Sequence, residues 1–391
     1  MNSFMKLIHN LKGLQPLARI LHADLLQEPG IMMNVAGESQ VDSESKDTYS
    51  PASTCSSALS HQTSQLPAHD QYEISGLALR LQPIVLVGGT FDGVHVGHQA
   101  LIKSAQDEAR AIGAKVVVMT FDRHPASLLR PNVAPALLTT TEQKLTRLQE
   151  FGVDTVLLLT FDEQLAAMSA TAFITQLNEA LPHLKAIAVG ASWSFGKGGE
   201  GNLDLLKELG NKFHFSVMTI KAIEVNGHAV SSTRIRRAIA SADFEEAAAC
   251  LGRRYSVTGT VVEGNQKARD FGFPTANLSL PPIQLPPDGV YAVFVKIGEA
   301  TYQGIANIGH CPTISSFPFP TKVEVHLFHF EGDLYGQELT MIPIAHLRPE
   351  MKFPNLEELR LQIIKDVAVV KNILQATNES VVKHDVAMVK N

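Results

Sequence analysis

The apolar residues of this 391-residue chain change period near Arg254. Before that point they form near-continuous aliphatic runs, IVLVGG (84–89), KVVVMTF (115–121), DTVLLLTF (154–161), KAIAVG (185–190) and FSVMTI (215–220), separated by amphipathic stretches. A strand that is apolar on both faces has to be covered on both, so the spacing predicts a parallel, doubly wound sheet with helices on either side. Beyond it, YSVTGTVV, GVYAVFVKI, TYQGIANIG, TKVEVHLFHF and QELTMIPI alternate or mix, broken by Gly and Pro. That pattern predicts a closed or strongly curved antiparallel barrel. Helical spacing returns at the end, where Asn355 and Glu358 form a capping-box pattern ahead of a stripe of Leu356, Leu359, Ile363, Val367, Val370 and Leu374. The expected fold is therefore α/β plus β: a Rossmann-like sheet, then a β-barrel with a terminal helix.

The first seventy residues fit neither pattern. Residues 37–72 are rich in Ser, Gln and Thr with few periodic apolar positions, so they read as a disordered linker. Ahead of them, residues 1–36 are basic and free of acid until Asp24, with apolar residues at helix-like spacing. A short amphipathic helix is expected there, with a transit peptide as the alternative. The expected units are 73–250 for the sheet, 251–376 for the barrel and 377–391 for a flexible tail. No apolar run reaches the ~20 residues that span a bilayer, and a net charge of −6 argues against a large nucleic-acid surface. Cys55, Cys250 and Cys311 are odd in number and far apart, which points to a reducing compartment such as the cytoplasm. Oligomeric state is left open.

GGTFDGVHVGH (88–98) follows the first aliphatic run. In a doubly wound sheet ligands bind beyond the carboxyl ends of the strands, and this segment lies at such an end. Gly88, Gly89 and Gly97 leave room for a ligand close to the backbone. His95 and His98, three apart, face one side of a first helical turn. Two imidazoles over a helix N-terminus suit a phosphate that gains charge in a transition state, hence phosphoryl or nucleotidyl transfer. A simple helix cap or turn is the alternative. Further on, Ser231, Ser232 and Thr233 open a helix carrying Arg234, Arg236 and Arg237. Hydroxyls at a helix start beside arginine can hold nucleotide phosphates, or merely cap a surface helix.

Together GTFDGVHVGH and SSTRIR resemble the HxGH nucleotidyltransferases, and TFDRHP (120–125), EQKLTRLQEFGVD (142–154) and FDEQLAAMSATAFI (161–174) narrow the likeness to the bacterial bifunctional riboflavin kinase/FAD synthetase family. The resemblance implies transfer of AMP from ATP to FMN with release of pyrophosphate. It implies that His95 and His98 stabilise the reacting α-phosphate and that Ser232, Thr233 and Arg236 hold the pyrophosphate. Gly89, Phe91, Asp92 and Gly97 belong to the nucleotide loop, Asp92 as its organiser, while Phe121 and Pro125 lie near the flavin. Ser192, followed by the only tryptophan, Trp193, stands where the family commonly carries Asp or Asn; it can hydrogen-bond but bears no charge.

In the barrel, FGFPTANL (271–278) sets Thr275 and Asn277 two apart, oxygen ligands suited to Mg²⁺ shared with ATP phosphates. Strand alternation puts Glu324 and His326 opposite Val323, Val325 and Leu327. PTAN, then GVY, ANIGHCPT and VEVHL resemble the riboflavin kinase module of the same family. The resemblance implies that Glu324 is the base activating the ribityl hydroxyl, with Arg269, Thr275 and Asn277 at the Mg–ATP site. Ala268 replaces a glycine the family usually carries before the arginine. The expected enzyme is an ATP-dependent transferase making FMN from riboflavin and FAD from FMN, with small-molecule partners and no nucleic acid or membrane. A chain with one working module, or a flavin-binding protein without turnover, stays open at this point.

Overall fold

Ile84 through Val87 are fully buried, which fixes this strand as the centre of the sheet. The computed structural model describes residues 6–9, 81–264, 272–310 and 321–377. Arg269, Ala268, Cys55, Cys311, the 37–72 linker and residues 378–391 lie outside them. In chain order the first unit contains β1 (Lys6–His9), β2 (Ile84–Gly88), α1 (Val96–Ile112), β3 (Lys115–Phe121), α2 (Pro125–Leu129), α3 (Thr141–Glu150), β4 (Thr155–Leu159), α4 (Glu163–Ala167), α5 (Ala170–Ala180), β5 (Leu184–Gly190), α6 (Leu203–Phe213) and β6 (Ser216–Ile220). The strands are parallel in the order β1-β4-β3-β2-β5-β6. Alternate residues of β2 serve opposite layers: Val85 and Val87 pack with Leu101, Ile102 and Leu148, whereas Ile84 and Leu86 pack with Ile174, Leu177 and Leu206. Strand order reverses between β2 and β5, so the crevice for a ligand opens above their carboxyl ends.

The expected amphipathic helix over 1–36 is corrected at its start. Lys6–His9 is a strand, pairing in parallel with β4 from Lys6 on Thr155 to His9 on Leu158. The outer edge of β4 presents an unpaired ladder of N–H and C=O groups, and an edge of that kind recruits short apolar segments whatever their weak local preference.

After β6 a hairpin, β7 (Glu224–Val225) and β8 (His228–Ala229), turns at Asn226 and Gly227, both with positive φ. Two helices follow, α7 (Ser232–Ala240) and α8 (Phe244–Leu251), split at Ala242 (φ 57°). Their Ile235, Ile239, Phe244 and Leu251 share one core with Tyr291, Val293 and Met341 of the barrel.

That barrel is closed by β9 (Val257–Val262), β10 (Ala276–Ser279), β11 (Gly289–Ile297), β12 (Ala300–His310), β13 (Thr321–Leu327) and β14 (Glu338–Arg348), in the order β10-β13-β12-β11-β14-β9. The short β10, whose Asn277 the sequence offers only as an oxygen ligand, is the closing strand, pairing with both β9 and β13. The terminal helix α9 (Leu356–Ala376) packs only its second half, Val370 and Leu374, onto Phe294, Phe328 and Ile342. Leu356, placed on the apolar stripe by sequence, is exposed.

A buried ion pair holds α9 in place. Arg348 of β14 donates to Asp366 from Nε (3.0 Å) and Nη2 (2.7 Å), and Gln362 donates to the other carboxylate oxygen at 2.8 Å. Removing one partner strands the other charge, so Asp366→Ala is expected to lower unfolding free energy by about 3–5 kcal/mol. Urea unfolding of the full chain measures this.

Candidate active sites

The loop after β2 holds a tight, costly geometry. Phe91 (φ 52°), Gly93 (φ 83°) and Val94 (φ 41°) are left-handed, and Phe91 and Val94 are fully buried. Non-glycine residues in that region cost about 1–3 kcal/mol each and persist only where the surroundings fix them. Sequence pointed to Gly88, Gly89 and Gly97 for the turning; the reversal lies instead at 91–94, and a Cβ on Gly93 would come 2.9 Å from Leu138.

Asp92 does the fixing. It is buried, accepts from the backbone N–H of Leu138 (2.8 Å) and Thr139 (3.3 Å), and pairs with the Arg236 guanidinium. Arg236 also donates to the Ala136 carbonyl (2.6 Å), and the Ser232 hydroxyl donates to the Asp92 carbonyl (3.0 Å). Ser232 and Arg236 thus reach the HxGH loop across the sequence, while Thr233 is exposed on the first turn of α7. Ser231 caps that helix, and Arg234 binds Glu246 and the β7–β8 hairpin carbonyls.

His95 is both cap and site residue. Its Nδ1 accepts from the His98 N–H (3.3 Å), which leaves the proton of the neutral ring on Nε2. The two rings stack with centroids 3.6 Å apart, beside Phe91. Nδ1 of His98 is buried without a hydrogen-bond partner among the described residues. Burial pushes His95 down to about 4, and burial together with the charges of His95 and Lys144 pushes His98 well below the usual imidazole range. Both are neutral donors at pH 7.

Between about pH 6.5 and 4 the unfolded chain binds the proton that folded His95 refuses, so stability falls as pH drops through that window. For His95 alone we expect about 2 kcal/mol lost between pH 7 and pH 5, reduced in His95→Asn, as read by urea unfolding at the two pH values.

Lys144 is the residue that sequence reading missed. Buried on α3, it donates to the carbonyls of Phe121 (2.6 Å) and Thr90 (3.5 Å) and to the Thr120 hydroxyl (3.2 Å), joining the carboxyl ends of β2 and β3. Burial pushes it down to about 8. Its place on a buried stripe with Leu148 was the available signal. Beside it, His124 caps α2 by accepting from Ala126 (3.1 Å), and Pro125 is the first residue of that helix. Phe121, at the end of β3, packs edge-on to Phe161 and is half-buried. Ser192 is exposed in the turn after β5, and Trp193 stacks on Phe195. Gly89 and Gly97 flank the loop. All of these sit at the carboxyl end of the sheet. A concavity past Lys103, Arg110 and Asp154 runs along α1 toward the amino ends and touches none of them.

On the barrel, Asn277, Glu324 and Asn307 lie side by side on β10, β13 and β12. Val323, Val325 and Leu327 are buried and Glu324 and His326 half-buried, as alternation predicts. Lys322 holds Glu324 at 2.6 Å, and Asn307 donates to Glu350 at 2.9 Å. Asn277 is 8% exposed, yet its Oδ1 has no hydrogen-bond partner among the described residues. Gly264 lies against that amide, where a Cβ would collide with it. Thr275 is half-buried just ahead of β10, and His326 Nδ1 sits 2.8 Å from the Pro274 carbonyl. A stranded amide oxygen beside a hydroxyl and a carboxylate is a hard donor set that fits Mg²⁺. No group of three or more His, Cys, Asp or Glu that could hold a metal alone occurs among the described residues.

A doubly wound sheet with His-Val-Gly-His at its switch point, tied to a hydroxyl- and arginine-bearing helix, is the build of a nucleotidyltransferase, and the closed barrel adds a second unit. Residues 79–234 match the FAD synthetase family and residues 251–374 the riboflavin kinase family. The chain is 39% identical over 283 residues to the bifunctional riboflavin kinase/FMN adenylyltransferase of Escherichia coli K12, covering 72% of this chain and 90% of the relative. It is 36% identical to the protein of that name from Listeria monocytogenes, with 72% and 90% covered. A crystal structure titled as a macrolide-efflux protein from Streptococcus pneumoniae superposes with TM-score 0.65 at 32% identity, covering 74% of this chain and 94% of that one. The chain belongs to the bifunctional riboflavin kinase/FMN adenylyltransferase family. Among the described residues no helix is long and apolar enough to cross a membrane.

Proposed function

We propose that the chain phosphorylates riboflavin with ATP at the barrel to give FMN, and transfers AMP from a second ATP to FMN at the carboxyl end of the sheet to give FAD and pyrophosphate. The observation that carries this reading is the stacked His95–His98 pair at the N-terminus of α1. Neutral imidazoles donate N–H to an α-phosphate as it gains charge, without being consumed by protonation beforehand. An FMN phosphate oxygen forms the new P–O bond as the bond to the β-phosphate breaks. Ser232, Thr233 and Arg236 receive the leaving pyrophosphate, Arg236 while still braced on Asp92. Gly89, Phe91, Asp92 and Gly97 shape the nucleotide loop, Ser192 offers its hydroxyl from the turn after β5, and Phe121 and Pro125 border the flavin.

At the barrel, Glu324 takes the ribityl hydroxyl proton as that oxygen attacks the γ-phosphate. Thr275 and Asn277 would hold Mg²⁺, which supplies charge neutralisation for the ATP phosphates when bound, and Arg269 lies in the segment leading to them. The stranded Asn277 oxygen supports this. Residues 73–250 and 251–376 are the working units of a cytoplasmic enzyme in this reading. Incubation with riboflavin, ATP and Mg²⁺, followed by chromatography, is expected to show FMN rising first and FAD after it, with ADP and then pyrophosphate released. FMN alone would select a single working module, and bound flavin without product a carrier.

A further inference from the structure

A strap of four residues, Ala136–Thr139, joins the adenylyl-transfer loop to the barrel. On one side Asp92 accepts from Leu138 and Thr139 N–H, Gly93 N–H donates to the Thr139 hydroxyl (3.2 Å), and Arg236 donates to Ala136. On the other, the barrel's loop before β11 meets the same strap. Leu137 forms a parallel bridge with Ile283, and Gln284 N–H donates to the Leu137 carbonyl at 2.7 Å. Tyr255, buried just ahead of β9, donates its hydroxyl to the Gln284 carbonyl and fixes that loop from behind. Leu138 is buried among Leu251, Tyr255 and Ile283. The strained backbone at 91–94 therefore rests, through the strap, on residues of the barrel unit.

We propose that Tyr255 and the Ile283–Gln284 loop of the barrel are positioning residues for adenylyl transfer, holding the His95–His98 loop through the Ala136–Thr139 strap. The inference rests on the adenylyl-transfer reading above. A left-handed loop with two non-glycine residues persists only while its surroundings over-determine it, and small displacements of reacting groups cost large factors in rate. The strap supplies that restraint from a unit that takes no part in the reaction.

The test is Tyr255→Phe in the full chain, which keeps the buried ring and removes one hydroxyl. The expected result is a fall of about tenfold in kcat for FAD formation from FMN, with KM for FMN and the rate of FMN formation from riboflavin unchanged within about twofold. Amide exchange at Gly93, Leu138 and Thr139 should quicken while α9 stays protected. Equal FAD rates in wild type and variant with unchanged exchange, or a parallel fall of both activities, would overturn the proposal. Should wild type make no FAD, the adenylyl-transfer reading fails on its own, and exchange at the strap still decides whether Tyr255 restrains the loop.

Discussion

Replacing His98 with alanine should lower FAD formation by about 10²–10³-fold and leave FMN formation from riboflavin within about twofold. The size follows from losing one preorganised donor at a phosphate that develops charge. His98 is stacked on His95 at 3.6 Å and lies beside Phe91, so the ring is fixed before ATP arrives. His95 and His98 belong to the sheet unit, whereas Asn277, Asn307 and Glu324 belong to β10, β12 and β13 of the barrel, which is why the kinase step should persist. Rates with riboflavin and with FMN as separate substrates measure both effects. Loss of both activities in a variant that keeps its cooperative unfolding transition would contradict two separate sites.

Glu324→Ala should do the reverse, lowering FMN formation by about 10²–10⁴-fold, the range for removing a general base. FAD formation from supplied FMN should be unaffected. Glu324 projects from the face of β13 opposite the barrel core, between Asn277 and Asn307, so its removal opens no cavity in the apolar interior. Glu324→Gln tests the charge alone: it keeps size and hydrogen bonding but accepts no proton, and it should be as impaired as the alanine variant. A glutamine variant with near-normal FMN formation would assign Glu324 to positioning instead.

The sheet was legible because four consecutive aliphatic residues, as in β2 and β4, leave a strand little choice but burial on both faces. The HxGH loop was legible as a site for a different reason: two histidines three apart, directly after a strand's carboxyl end, put two imidazoles over one helix start. Its actual shape was not, since neither Phe91 nor Val94 favours the left-handed backbone it adopts. Lys144 was hidden because a lysine in a helix ordinarily marks a solvated face, and only the fold brings the Thr90 and Phe121 carbonyls to it. The closing strand β10 was hidden by its length of four residues directly after a Pro-Thr step, and Lys6–His9 by a pairing partner far away in sequence. The strap linking Leu137 to Ile283 is a backbone contact that no residue type announces. Asn226-Gly227 was a readable hairpin signal that went unread.

If FMN leaves the barrel and diffuses to the sheet, two proteins each lacking one site should complement one another. Mixing the His98→Ala and Glu324→Ala proteins with riboflavin, ATP and Mg²⁺ tests it most directly. Neither variant alone should convert riboflavin to FAD at an appreciable rate. The mixture should make FAD after a lag in which FMN accumulates. A mixture that makes no FAD, while wild type at the same concentration does, would contradict the account.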